Sequence, residues 1–119
     1  MMLTLLKSKL HHARITQCDL HYEGSIGIPR DLMEASGLLA SEQVDVLNMN
    51  NGERFTTYII PLESGSSSIT VNGPAARKAQ VGDSVIVCAY AIMTAEEART
   101  HTPRVVLLTP DNTIQRDSV

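Results

Sequence analysis

The dipeptide Gly24-Ser25 has residue types that could react with their own peptide bond. Glycine has no Cβ, so a neighbouring group can reach its carbonyl, and its backbone tolerates unusual angles. The Ser25 hydroxyl could attack the Gly24 carbonyl and convert the amide to an ester. Elimination and hydrolysis would then leave a pyruvoyl group, whose ketone can form a Schiff base with an amine and act as an electron sink. Taken alone, a Gly-Ser dipeptide is more typical of a simple turn.

Further motifs accompany this dipeptide in a fixed order. The chain reads Lys9-Leu10-His11, Tyr22-Glu23-Gly24-Ser25, Asn51 to Tyr58, and Asn72-Gly73-Pro74-Ala75-Ala76. This ordered set resembles the aspartate decarboxylase family, pyruvoyl-dependent bacterial enzymes that make β-alanine for pantothenate and coenzyme A. The resemblance runs from about Leu3 to about Asp111. It implies a zymogen that cleaves itself into residues 1–24 and 25–119, and then decarboxylates L-aspartate with the pyruvoyl group as its covalent cofactor.

The resemblance implies roles for residues near the cleavage point. Thr57 would donate a hydrogen bond to the oxyanion on Gly24, and one such donor typically lowers a barrier by about 2.7–4 kcal/mol. Tyr58 would return a proton to the carbanion left by CO₂, since a phenol can donate a proton in a dry pocket. Tyr22 would line the site. Judged without the resemblance, Thr57 and Tyr58 are ordinary strand residues.

Two cations are candidates for binding the carboxylates of the substrate. The planar guanidinium of Arg54 can pair with two carboxylate oxygens at once, and we expect it to hold the carboxylate that is retained. Lys9 is the second candidate, although a solvated surface lysine is the commoner case. Arg54 and Tyr58 share one side of a regular strand, which places Thr57 on the other side unless a bulge intervenes.

The segment from Asn72 to Ala76 resembles the pocket segment of the family. Asn72 would offer its amide to the pyruvoyl carbonyl, while Gly73, Ala75 and Ala76 would let the backbone approach the substrate. Pro74 stands where another small residue is expected, and its ring removes a backbone donor at that position. The alternative interpretation is an Asn-Gly turn before a short helix.

His11, His12 and His21 do not form a metal-binding pattern. Adjacent residues on a strand point to opposite faces, which would separate His11 from His12, and no HExxH motif or cysteine partner supports a site. We expect no metal. His11 could instead hydrogen-bond near the cleavage loop.

Length and composition limit the classes of protein. A chain of 119 residues predicts a single domain. A net charge of −3 with mixed signs argues against nucleic acid as a partner. The apolar start is too short for a secretion signal or a membrane span, so we expect a cytoplasmic protein in which Cys18 and Cys88 stay reduced.

The hydrophobic pattern predicts mainly strands with a few short helices. Asn51-Gly52 predicts a two-residue type I′ hairpin turn, Thr94 and Glu97 a capping box, and residues 109–119 a frayed polar tail. We expect Ser84–Met93, which is apolar on both faces, to be the most buried strand. The remaining predicted strands are Leu3–Leu6, Leu10–Thr16, Ser25–Pro29, Val44–Asn48, Arg54–Leu62, Ile69–Asn72 and Arg104–Leu108, and the helices are Pro29–Gly37, Pro74–Ala79 and a turn ending near Thr100.

Many short strands suggest a closed barrel. The family resemblance makes this a double-psi β-barrel, assembled as a homotetramer with active sites between subunits, with a maturation factor as a possible partner. Two alternatives remain open. One is a non-enzymatic barrel, either a small swapped-hairpin DNA binder or a partner-docking module. The other is a family member that stays uncleaved until an accessory activator acts.

Overall fold

The structure, a computed structural model, describes residues 1–115. The described chain is mainly β, with α-helices α1 (Arg30–Ser36) and α2 (Ala95–Thr100) and a 3₁₀ helix over Gly73–Lys78. The strands are β1 (Met2–Arg14), β2 (Gln17–Asp19), β3 (Ser25–Pro29), β4 (Gln43–Asn48), β5 (Arg54–Leu62), β6 (Thr70–Asn72), β7 (Ser84–Thr94) and β8 (Arg104–Leu107).

These eight strands form one mixed sheet in the order β2-β6-β3-β5-β4-β7-β1-β8. Strand β3 is central to the site because it runs parallel to β5 and antiparallel to β6. Strand β1 likewise pairs antiparallel with β7 and parallel with β8. This mainly β architecture with short helices agrees with the double-psi β-barrel that the resemblance implies.

The core is built from aliphatic side chains, since the chain has one Phe and no Trp. Removing such side chains from water stabilises the fold by roughly 25 cal/mol per Å² of apolar area. The largest fully buried members are Leu10, Ile15, Ile26, Ile28, Leu32, Ile59, Ile69, Val44, Val46, Val71, Val85 and Val87. Because every strand from β3 to β7 contributes, the core fixes the register of the strands that carry the site.

Local signals in the sequence are confirmed at the helix ends. Helix α1 follows Pro29 and ends at Gly37, whose φ of 75° is the left-handed conformation that glycine adopts most easily. The Thr94 hydroxyl accepts from the Glu97 backbone N–H while the Glu97 carboxylate accepts from the Thr94 N–H, which is the predicted capping box. The 3₁₀ helix has Pro74 in its first turn, as expected for the 74–79 segment.

Several predicted strands differ in the structure. The division of the amino-terminal region into Leu3–Leu6 and Leu10–Thr16 is wrong, because β1 runs unbroken through both and absorbs two register shifts against β7. Strand β2 was not predicted. Strand β3 is buried at all five residues, whereas β7 is exposed along its second half, so β7 is not the most buried strand.

The hairpin between β4 and β5 is wider than predicted. Asn48 N–H donates to the Glu53 carbonyl at 2.9 Å, which leaves a four-residue loop from Met49 to Gly52. Gly52 has a φ of 76°, but Asn51 does not have positive φ. A type I′ turn needs positive φ at both central residues, so this prediction is wrong. The Asn48 side chain, which accepts from Asn50 N–H, stabilises the longer loop.

The described part of the predicted tail is held against the barrel. Asn112 is buried, its side-chain oxygen accepts from Arg14 N–H at 2.6 Å, and its amide donates to the Arg14 carbonyl at 2.8 Å. Leu108 forms a β-bridge to Ile114. The fraying predicted for 109–119 is therefore wrong over 109–115, because a buried side chain anchors the loop; residues 116–119 lie outside the described part.

His11 and His12 are not on opposite faces. Their rings stack with centroids 4.2 Å apart, because His12 has a φ of 67° at the register shift between His11 and Ala13. Within residues 1–115, no three His, Cys, Asp or Glu side chains converge as they would around a metal ion. Cys18 and Cys88 are free thiols. No helix in this range has the length and apolar character needed to cross a membrane.

Candidate functional site

Ser25 lies at the start of β3 and is fully buried. Its hydroxyl donates to the carbonyl of Glu23 at 3.0 Å and accepts from the side-chain amide of Asn72 at 3.1 Å. Ser25 and Asn72 are direct partners in the antiparallel pairing of β3 with β6. The reactive oxygen is thus fixed from both sides, in a position from which water is excluded.

The register of β5 places one predicted residue beside Ser25. Ile26 pairs with Ile59, so one residue earlier on each strand Tyr58 follows the same register as Ser25. Gly24 lies outside β3, so this pairing does not place Thr57 beside it. The pairing of β5 with β4 and with β3 shows no register shift. Side chains alternate along a regular strand, so Tyr58 shares the face of Ser25 while Thr57 points to the core side. The predicted conflict between these two residues is therefore present.

The Tyr58 hydroxyl has a carboxylate neighbour that was not predicted. Partial desolvation, together with the charge of Glu23 and a hydrogen bond to its carboxylate, raises the pKa of Tyr58 above its ordinary value. The phenol is therefore protonated at neutral pH and available as a proton donor. Glu23 lies two residues before Ser25, so the uncleaved segment itself contacts the candidate acid.

The small residues after β6 approach the cleavage segment through the backbone. A Cβ added to Gly73 would lie 2.6 Å from Gly24 Cα. Pro74 is exposed, and its Cδ would be 3.6 Å from a Cβ at Gly24. Ala75 and Ala76 are half-buried on the 3₁₀ helix.

A cavity of about 250 Å³ opens beside the Ser25 site. Asn72 contributes to its wall, as does Tyr22, which is 54% exposed. The remaining wall residues are Gln17, Asp19, Ile60, Leu62 and Thr70. A larger cavity of about 510 Å³ lies beside α1, but none of the predicted site residues lines it. The smaller cavity is therefore the better candidate for the substrate.

Lys9 and Arg54 share the face of Tyr58 but lie away from Ser25 along the sheet. Lys9 pairs with Cys88, Cys88 pairs with Asp45, and Asp45 pairs with Thr56. Lys9 is thus three strands from β5, which is about 14 Å at ~4.8 Å per strand. Arg54 is four residues before Tyr58, which is about 13 Å at ~3.3 Å per residue. Measured along the sheet of a single chain, neither cation is beside Ser25.

His11 lies on β1, where it pairs with Ile86 of β7 and Leu107 of β8, so the expected contact with the cleavage loop is not among its strand pairings. Burial, followed by the charges of His12 and Lys9, lowers the pKa of His11.

Two features of the site were not predicted from the sequence. Glu23 is in the same short motif as Ser25, which was the available signal for a role at the site, but its contact with Tyr58 joins separate segments of the chain. The contact of Gly73 with Gly24 joins segments 49 positions apart, and nothing in either segment alone indicates it.

Comparison with known proteins agrees with the geometry. The family model described as aspartate decarboxylase matches residues 1–115. Aspartate 1-decarboxylase of Maricaulis maris (strain MCS10) is 61% identical over 114 residues, which are 96% of this chain and 94% of that protein. The protein of the same name from Caulobacter vibrioides is 60% identical over 116 residues, 98% of each chain. That of Hyphomonas neptunium is 53% identical over 118 residues, 99% of this chain and 100% of its own.

Proposed function

Because the chain belongs to the aspartate decarboxylase family, we propose that it converts L-aspartate to β-alanine and CO₂ for pantothenate and coenzyme A synthesis in the cytoplasm. The cofactor is a pyruvoyl group made from Ser25 of the same chain. The observation that carries this proposal is the buried Ser25 hydroxyl, held between the Glu23 carbonyl and the Asn72 amide next to a glycine.

Self-cleavage starts from the Ser25 oxygen. This oxygen attacks the Gly24 carbonyl carbon, the C–N bond of the peptide breaks, and the Ser25 nitrogen takes the hydroxyl proton, which gives an ester. Elimination then releases the carboxylate of Gly24 and leaves a dehydroalanine at position 25. One water adds and one ammonia leaves, which produces the pyruvoyl group. The resemblance gives Thr57 the role of donor to the oxyanion of the first step, for which its hydroxyl must turn from the core side of β5 toward Gly24.

The residues around Ser25 suit a ketone in its place. The Asn72 amide that now donates to the Ser25 hydroxyl can donate to a carbonyl oxygen there. The pyruvoyl carbonyl supplies the electron sink for the carbanion left by CO₂. Tyr58, protonated and level with Ser25, then delivers the proton to the substrate carbon.

A second copy of the chain completes the substrate site. Arg54 binds the retained carboxylate of aspartate and Lys9 is its second cation, but both are distant from Ser25 along their own sheet. The homotetramer of the resemblance provides a neighbour that can present them. The exposed apolar side chains of Tyr90 and Ile92, on the part of β7 beyond the core, suit such an interface.

Intact mass spectrometry with a CO₂ assay tests the activity. Wild-type protein should yield fragments of residues 1–24 and 25–119, the larger with a ketone that borohydride reduces, and should release CO₂ from L-aspartate but not L-glutamate. Ser25→Ala should stay whole and inactive, while Ser66→Ala, in an exposed loop, should behave as wild type. Release of CO₂ by chains that remain uncleaved would refute the proposed mechanism.

The same time course addresses maturation. Purified protein that cleaves when incubated alone needs no accessory factor. If it cleaves only after cell extract is added, a maturation factor acts on it.

Mixed subunits test the shared site. Ser25→Ala supplies Lys9 and Arg54 but no pyruvoyl group, whereas Lys9→Ala with Arg54→Ala supplies only the pyruvoyl group. Co-expression of the two inactive variants should restore part of the activity if sites form between chains. No restoration, in a mixture that light scattering shows to be tetrameric, would place all three residues in one chain's site.

A further inference from the structure

Gly73 is in van der Waals contact with the segment that is to be cleaved. A Cβ at this position would be 2.6 Å from Gly24 Cα, 2.8 Å from Gly24 N and 3.0 Å from the Tyr22 carbonyl oxygen. All three are backbone atoms, which cannot move aside as the end of a flexible side chain can. The scissile segment therefore occupies the space that a side chain at position 73 would fill.

Gly73 also continues a pairing that holds the other reacting residue. Asn72 pairs with Ser25 across β6 and β3, and its amide binds the Ser25 hydroxyl. The next residue on one side, Gly73, meets the preceding residue on the other, Gly24. Two consecutive residues thus position the attacking oxygen and the peptide unit that it attacks.

We propose that Gly73 is a positioning residue for self-cleavage, whose missing side chain seats the Gly24 backbone within reach of the Ser25 hydroxyl. This inference rests on the proposed function, since it assumes that the bond between Gly24 and Ser25 is the one that breaks. It adds to the substrate-binding role of Gly73, because the segment from Asn72 onward would hold the scissile peptide first. The same surface becomes open to substrate only after Gly24 has left it.

The backbone conformation at position 73 also favours glycine, and a control variant must separate this effect from the contact with Gly24. Its φ of 72° is left-handed, and a side chain there is strained whatever lies nearby. Gly52 has nearly the same φ, 76°, but nothing lies within 4 Å of its added Cβ. The two glycines therefore share the backbone strain and differ in the contact with Gly24.

The experiment follows cleavage by intact mass in purified Gly73→Ala, Gly73→Asn, Gly52→Ala and Gly52→Asn. Asparagine tolerates left-handed φ better than alanine, so the Asn pair reduces the strain and keeps the Cβ. Both Gly73 variants should be folded by circular dichroism and should cleave at least about 100-fold more slowly than the matching Gly52 variants, since displacing a reacting group by about 1 Å can cost 10²-fold in rate.

Each other outcome counts against the proposal. If Gly73→Asn cleaves within threefold of Gly52→Asn, the contact does not position the bond. If the Gly73 variants unfold while those of Gly52 do not, glycine at position 73 is needed for the fold, and its role is not the positioning of the scissile peptide. Failure of the wild type to cleave would instead refute the proposed function.

Discussion

Around Ser25, one chain provides a closed set of contacts, whereas the two cations on the same sheet face are far from it. Asn72, Glu23 and Gly73 all touch the cleavage segment within the subunit. Arg54, at the exposed start of β5, has no such relation to Ser25. The difference suggests that cleavage depends on intrachain geometry, while binding of the substrate carboxylates depends on assembly. Substitutions in the two regions should therefore affect different steps.

Tyr58→Phe should have the largest effect on decarboxylation while leaving self-cleavage intact. The chain should still cleave, because Ser25, Asn72 and Gly73 are unchanged, but kcat should fall by about 10²–10⁴-fold, the usual contribution of a general acid. Steady-state kinetics on fully cleaved protein measures this effect. A kcat equal to that of the wild type would remove Tyr58 from the proton transfer.

Arg54→Ala should impair binding rather than cleavage. Loss of a charge-assisted, two-pronged carboxylate contact of roughly 1.5–3 kcal/mol corresponds to about a 10- to 150-fold increase in KM for aspartate. The fraction cleaved should equal that of wild type in intact mass spectra. Arg99→Ala, an exposed arginine on α2, controls for net charge. An unchanged KM in cleaved Arg54→Ala protein would exclude this role.

What the sequence predicts well in this chain is local. The end of α1 at Gly37 and the Thr94–Glu97 capping box follow from the conformational preferences of residues a few positions apart. The missed hairpin loop is also local, but there the Asn48 side chain outcompeted the Asn-Gly turn. The stacking of His11 on His12 depends on a bulge, which alternation alone does not reveal.

The site was predicted only as far as residue types and family resemblance allow. Ser25, Asn72 and Tyr58 come together because β3 lies between β6 and β5. This strand order is set by the barrel topology and cannot be read from any of the three motifs. The contacts of Gly73 and Glu23 depend on this same order. Lys9 and Arg54 could be named by their charge, but their distance from Ser25 follows only from the register of four strands.

Glu23→Gln should change the pKa of the candidate acid Tyr58 and leave its phenol in place. In the Ser25→Ala chain, where the segment stays intact, loss of the carboxylate should lower the pKa of Tyr58, because a neighbouring negative charge disfavours the phenolate. Absorbance at 295 nm during alkaline titration reports this shift, and the difference from a Tyr58→Phe chain assigns it. Glu63→Gln, in an exposed loop, is the control. A Tyr58 titration that is identical in both variants would mean that Glu23 does not contact the phenol.

Thr94→Ala should have the smallest effect and should leave cleavage untouched, because α2 packs at the opposite part of the sheet from β3. Loss of the cap should lower the free energy of unfolding by about 1 kcal/mol in urea at neutral pH. The hydrogen bonds from Thr94 lower the pKa of Glu97, so their stabilisation is present above the unfolded pKa of about 4.3 and is lost as pH falls through the lower folded value. The difference between wild type and Thr94→Ala should accordingly shrink in acid, while Thr102→Ala, an exposed threonine without a capping role, should show no such pH dependence. Slower cleavage in Thr94→Ala would show that self-cleavage at Ser25 depends on the overall stability of the chain. It would contradict the expectation that cleavage is set by the contacts around Ser25 alone.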